Sequence, residues 1–273
     1  MENPKKKRNK RKSEKGRGGR ALRSLLTGVL LLGCFSIFGY SVYRLWGFHS
    51  EYAESRAEYK ELDRQAEEIE TDGGEKLKEA DLDELSVLNP DTAAWIQIPG
   101  TVISYPVMYT ADNIYYLDHT FSGENSKAGS IFMEALNSED FTDEHTIIYG
   151  HNMRDGSMFA GLKKWKDKSY YQKHPYLYLT RKEGIFRYEI FSCYTTEEDG
   201  EAYTLVFETK EEKEAFIEST KKRALYDTGV EIDTGDKILT LSTCTSNGEK
   251  RFVIHACFSG EVELDFSEKQ KNS

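Results

Sequence analysis

Lys237-Ile238-Leu239-Thr240-Leu241-Ser242-Thr243 runs into Cys244, a turn-forming Thr245-Ser246-Asn247-Gly248, and then Arg251-Phe252-Val253-Ile254-His255-Ala256. This reads as two apolar strands joined by a turn. Alternation puts Ile238, Thr240, Ser242 and Cys244 on one face of the first strand and Leu239, Leu241 and Thr243 on the other. If the strands pair as a hairpin, Cys244 and Arg251 become lateral neighbours at one sheet edge. Upstream, Thr146-Ile147-Ile148 is another short strand, followed by Tyr149-Gly150-His151-Asn152-Met153. A thiol, an imidazole and a guanidinium at strand ends are the parts needed for acyl transfer through a thioester.

The same short-strand pattern begins near Ala93. The spacing predicts strands at 94–98, 102–108, 129–134, 146–149, 176–181, 185–195, 237–243 and 251–258. Eight strands of this length suggest a closed or nearly closed barrel. One helix interrupts them, from Glu208 to Leu225, with acidic residues early and basic residues late, as the helix dipole favours. Phe216, Ile217 and Leu225 are its candidate apolar face.

The N-terminal quarter differs. Residues 1–23 hold eleven Lys/Arg against two Glu. Of the chain's 37 Lys/Arg and 47 Asp/Glu, that leaves 26 and 45, a net of −19 for the remainder. Ser24 to Tyr43 is a run of 20 residues without a charge, bounded by Arg23 and Arg44 and closed by Tyr40, Tyr43 and Trp46. About 20 helical residues span about 30 Å of hydrocarbon, and the aromatic residues suit a membrane interface. With no convincing small-x-small cleavage site after Tyr43, the run is expected to be an uncleaved anchor. The basic head then orients it and stays cytoplasmic; no nucleic-acid partner is expected. This gives four regions: a basic head (1–23), a single-pass anchor (24–46), a helical stalk (47–87) and an extracellular catalytic barrel (88–273). Within the stalk, His49–Glu70 is read as a helix, either a solvated spacer or docked on the barrel. Thr71-Asp72-Gly73-Gly74 breaks it, and Lys76–Leu88 is read as a second helix, docked through Leu77, Leu82, Leu85 and Leu88.

Of four cysteines, Cys34 lies in the apolar span. Cys193 and Cys257 read as buried small hydrophobes, with a disulfide between them as the alternative. A free thiol has a pKa near 8.5, so Cys244 needs a base or a positive neighbour, and His151 and Arg251 are the candidates. Among the other histidines, His119 and His255 lie closest to these segments, whereas His49, His145 and His174 read as surface residues. The acidic Glu197-Glu198-Asp199 reads as a solvated loop, and no metal or cofactor site is expected.

Thr240-Leu241-Ser242-Thr243-Cys244 with Arg251, behind Tyr149-Gly150-His151-Asn152, resembles the sortases. Further likeness lies in Trp95-Ile96-Gln97-Ile98-Pro99-Gly100-Thr101, Ser104-Tyr105-Pro106-Val107 and Asp112-Asn113-Ile114-Tyr115-Tyr116-Leu117. The long helix before the cysteine strand makes the resemblance one to class B. It covers Leu88 onward and implies an eight-stranded sortase barrel. It also implies a cysteine transpeptidase that cleaves an NPQTN-like or related Pro-x-Thr sorting signal after threonine. In that reading Cys244 attacks the threonine carbonyl, His151 protonates the departing amine, and Arg251 holds the substrate or the oxyanion. The partners would be secreted proteins bearing the signal and a cell-wall amine or peptidoglycan precursor as acceptor. Asn113 and Leu117 match groove-lining positions of similar enzymes, Ser242 shares the cysteine's face, and Phe216 and Ile217 are expected to form the other wall. The seven-residue step from Cys244 to Arg251 is short for the class.

Three other functions compete. A pilin-polymerising sortase would use a protein lysine as acceptor. An L,D-transpeptidase would need a Ser/Thr-His-Gly-Cys segment, which the sequence lacks. A non-catalytic membrane-tethered binding module would keep the barrel without a reactive thiol.

Overall fold

The computed structural model describes residues 4–71, 74–245 and 248–263. The first three residues of the basic head, Asp72 and Gly73 of the first break, Ser246 and Asn247 of the hairpin turn, and the tail from residue 264 lie outside them. Helix α1 spans Pro4–Gln65. The chain divides into two compact units, Met1–Glu51 and Tyr52–Ser273. In the first, Leu25–Arg44 is a 20-residue helical span of mean hydropathy 2.0, none of it buried. It is long and apolar enough to cross a membrane.

In the second unit, eight strands close a barrel: β3 (Thr92–Gln97), β4 (Ser104–Met108), β5 (Ile131–Met133), β6 (His145–Tyr149), β7 (Tyr176–Arg181), β8 (Gly184–Thr196), β9 (Ile238–Cys244) and β10 (Arg251–Glu261). Their order around the barrel is β10-β8-β7-β3-β4-β5-β6-β9. The eight-strand expectation therefore holds, with ends shifted by a few residues. Two pairings are parallel, β4 with β5 and β6 with β9; the rest are antiparallel. Trp95, Ile96, Val107, Ile131, Leu179, Leu239, Leu241 and Phe252 fill the main core. A short helix, α3 (Lys168–Tyr171), precedes β7, and the helix between β8 and β9 is α4 (Lys210–Arg223), capped by Thr209, whose hydroxyl accepts from Glu212 N at 3.2 Å. Leu225 lies past its end and is 51% exposed, so it leaves the helix's apolar face.

The stalk is corrected in part. Helix α1 ends at Gln65, and β1 (Glu67–Glu70) turns back to pair with β2 (Lys76–Glu79) in a separate two-stranded sheet. Only Leu82–Leu88, α2, is helical in the second predicted segment, because Asp81 caps it through Glu84 N at 3.0 Å. Leu77 is buried from a strand rather than a helix, against Tyr178 and Ile185, and Leu88 is exposed. Residues 52–65 of α1 dock: Tyr59 and Leu62 join the main core, and the Tyr59 hydroxyl donates to the Gly129 carbonyl at 2.8 Å.

Candidate active site

Parallel strands end on the same edge of a sheet, and β6 and β9 pair with Tyr149 opposite Ser242. Gly150 N continues the ladder by donating to the Ser242 carbonyl at 3.1 Å. Two residues on, His151 comes level with Cys244. From the other side, the antiparallel β9–β10 register sets Arg251 directly opposite Cys244. All three line one cleft of about 310 Å³, with Asn113, Leu117, Phe132, Tyr149, Gly150, Glu198, Tyr203, Ser242 and Thr243.

Each of the three is held. His151 Nε2 lies 2.7 Å from the Leu117 carbonyl. A carbonyl only accepts, so the contact calls for a proton on Nε2 and leaves Nδ1 for exchange. The preceding Gly150 is required by packing: a Cβ there would lie 2.4 Å from Ile131 Cδ1 and 2.7 Å from the Phe159 ring. Asn152 Nδ2 donates to the Cys244 carbonyl at 2.8 Å, tying the histidine loop to the cysteine strand. Arg251 bonds the Glu198 carboxylate at 2.6 Å and the Gly248 carbonyl at 3.2 Å. Glu197 pairs with Lys250 at 2.6 Å. The acidic stretch expected as a solvated loop therefore has two members engaged with the start of β10.

Ser242 is buried, and its hydroxyl meets the Tyr203 hydroxyl at 2.8 Å. The Tyr203 ring stacks on Tyr149, centroids 6.3 Å apart at 18°. Burial pushes the Tyr203 phenol up to about 12 and raises Tyr149 as well. Asn113 and the part-exposed Leu117 also line the cleft.

Phe216 and Ile217 are not brought to the cleft. They pack on α4 with Phe191, Val230, Ile238 and Cys257, at the end of β9 remote from Cys244. Their apolar surface is consumed in covering that part of the barrel. His145 is also corrected: it is fully buried, between the Thr204 carbonyl at 2.6 Å and the Thr240 hydroxyl at 2.6 Å. His174 bonds the Pro99 carbonyl at 2.9 Å, and His119 stacks on Tyr115. Cys193 and Cys257 are free thiols, not a disulfide, and burial pushes each up to about 11. Sequence reasoning missed Glu134, Glu198 and Tyr203. Tyr149 sits within the quoted histidine motif, but nothing local marks the other three.

The sortase-domain family model matches residues 96–258. Sortase B of Listeria monocytogenes is 40% identical over 166 residues, covering 60% of this chain and 67% of its own. Sortase B of Staphylococcus aureus is 30% identical over 231 residues, covering 84% and 93%. Among solved structures, sortase B from Bacillus anthracis in complex with AAEK1 superposes with a TM-score of 0.68 at 32% identity, covering 78% of this chain and all of that one. A Staphylococcus aureus sortase B–substrate complex gives 0.69 at 29% identity, covering 77% and 98%.

Proposed function

The chain belongs to class B of the sortase family, and from that premise we propose that Cys244, His151 and Arg251 carry out its transpeptidation. The observation that carries this assignment is the register: Arg251 opposite Cys244, with His151 level on the parallel neighbour.

In the proposed reaction the Cys244 thiolate adds to the carbonyl carbon of a threonine in the sorting signal. The oxyanion that forms faces the Arg251 guanidinium, a permanent cation and hydrogen-bond donor. Arg251 cannot act as a base. As the tetrahedral adduct collapses, the C–N bond breaks and His151 gives its proton to the departing amine, leaving a thioester on Cys244. An acceptor amine then attacks the thioester, His151 takes its proton, and Cys244 leaves as thiolate. The products are the cleaved tail and a protein joined to the acceptor by a new amide.

The substrate is proposed to be an NPQTN-like or related Pro-x-Thr signal on a secreted protein, and the acceptor a cell-wall amine. Asn113, Leu117 and Ser242 are assigned to the walls that receive the peptide. The membrane assignment rests on Leu25–Arg44 and the basic residues before it. One pass would leave the N-terminus cytoplasmic and the barrel outside.

The test incubates the protein with NPQTN-, PPxTG- and LPxTG-like peptides, with and without an amine acceptor, and reads products by mass spectrometry beside Cys244→Ala. Cleavage after threonine, a thioester on Cys244 and a transfer product are expected. Failure on every peptide, with an unreactive Cys244, would move the assignment to a binding module.

A further inference from the structure

Glu134 follows β5 and is buried, 8% exposed, bonded to Asn113 and Tyr149 of the cleft lining. No lysine or arginine forms an ion pair with it among the described residues. Hydrogen bonds alone hold its carboxylate. Oε1 accepts from Asn113 Nδ2 at 2.6 Å and from Leu136 N at 3.2 Å, and Oε2 accepts from the Tyr149 hydroxyl at 2.8 Å. Asn113 in turn accepts from Ala135 N at 2.8 Å. Burying a carboxylate with no cation is costly. What this one gains is a junction, since its two oxygens accept from two elements that have no sequence proximity.

One of those elements is the segment 112–117. Its far end is fixed by Tyr116, whose hydroxyl donates to Asp91 at 2.9 Å. Its near end is fixed by Asn113 on Glu134. Immediately beyond the Tyr116 anchor it supplies the Leu117 side chain to the cleft and the Leu117 carbonyl to His151. The other element is Tyr149, whose ring lies against Tyr203, the hydroxyl partner of Ser242. One donor and one acceptor of the Asn113 amide are thus already committed to the barrel, which makes Asn113 a strut of the wall.

We propose that Glu134 is a positioning residue of the transpeptidase: through Asn113 and Tyr149 it sets the peptide-binding wall and the carbonyl that orients His151. This rests on the roles assigned above to the cleft. Glu134 touches no reacting atom, and its effect passes through those two neighbours.

The test compares wild type, Glu134→Ala and Glu134→Gln as full-length protein in detergent, by amide hydrogen exchange, peptide kinetics and alkylation of Cys244 with iodoacetamide. In Glu134→Ala, exchange should rise across 112–117 and not in β9 or β10. Its kcat/KM should fall about ten-fold or more on whichever of the NPQTN, PPxTG or LPxTG peptides the wild type cleaves, the loss of one hydrogen bond to a charged group. The alkylation rate should hold, because Cys244 and Arg251 face each other on the β9–β10 ladder, with which Glu134 makes no hydrogen bond among the described residues. Glutamine should rescue most of the loss: its oxygen accepts from Asn113 and its amide donates to the Tyr149 oxygen. Exchange and kcat/KM at wild-type values in Glu134→Ala would overturn the proposal. So would exchange raised evenly over the barrel with alkylation changed in step, the mark of a merely structural residue. Should Glu134→Ala fail to fold, Asn113→Ala cuts the same link and must give the same pattern. If the wild type cleaves no peptide, the assigned chemistry fails, whereas the exchange comparison still decides whether Glu134 anchors the segment.

Discussion

Acidification from pH 7 to pH 5 should destabilise the barrel by about 2 kcal/mol through His145 alone. The Thr204 carbonyl can only accept, so His145 Nδ1 carries the proton and donates to it. Nε2 must then accept from the Thr240 hydroxyl. The Thr240 oxygen accepts from His255 Nδ1 at 2.7 Å, and His255 Nε2 accepts from the Tyr194 hydroxyl at 3.2 Å. One chain of hydrogen bonds thus runs through β8, β10, β9 and β6, and it requires both rings to be neutral. Burial lowers His145 to about 4 and places His255 well below its ordinary value. Because these folded values lie below the unfolded one near 6.5, the unfolded chain takes up protons first. The stabilisation is complete above pH 6.5 and is lost as pH falls from 6.5 towards 4, reaching about 3 kcal/mol for His145 at pH 4. His255 adds in the same direction. Carboxyls such as Asp112 and Asp140 are held below their usual range by backbone and hydroxyl hydrogen bonds respectively, so their losses begin at lower pH. Urea unfolding of residues 52–273 at pH 7, 6 and 5 would measure the slope, beside His145→Gln, which should be less stable but flatter with pH. A wild-type stability unchanged between pH 7 and 5, or an equal slope in the variant, would refute the reasoning.

Three further outcomes are expected. Iodoacetamide at pH 7.5 should label Cys244 well before Cys193 and Cys257, whose buried thiols are pushed up to about 11; peptide mapping that finds either of those first would contradict the site assignment. Arg251→Lys should lower kcat/KM by about 100-fold, the range for loss of one oxyanion donor, with little change in melting temperature because its partner Glu198 is exposed. Gly150→Ala should cost about 1–3 kcal/mol in urea unfolding from the clash with Ile131 and Phe159, and should lower kcat as His151 shifts; an alanine variant of normal stability and activity would show that the packing yields.

Much of the barrel was legible because its strands carry their pattern locally. In β9, Leu239 and Leu241 enter the main core while Thr240 and Ser242 meet polar partners, as period-two alternation requires. The α4 boundaries follow from its cap and charge gradient. The β1–β2 ribbon was not legible, since Glu67–Glu70 has no strand preference of its own and pairs because Leu77 finds Tyr178 and Ile185. Phe216 and Ile217 do form the apolar face of α4, but an amphipathic face does not say which surface it covers. His145 looked like a surface residue in Asp143-Glu144-His145, and only the fold supplies its two acceptor and donor partners.

The division between what local sequence reveals and what it hides follows from how the barrel is wired. Cys244 and His151 are 93 positions apart, yet the parallel β6–β9 pair must end both strands at one edge. A parallel crossover has to be long, and this one contains β7, β8 and α4. Arg251 needs only the adjacent antiparallel strand. The groups proposed to react are therefore fixed by ladder register, which a short motif encodes. The walls of the cleft come from elsewhere: segment 112–117, Glu134 after β5, and Glu198 and Tyr203 after β8. Each reaches the site through one or two long-range polar contacts rather than through a strand. Such contacts can change without disturbing the register, so under the proposed function the sheet holds the chemistry while loops pinned at a few points choose the peptide. Glu134 is one such pin.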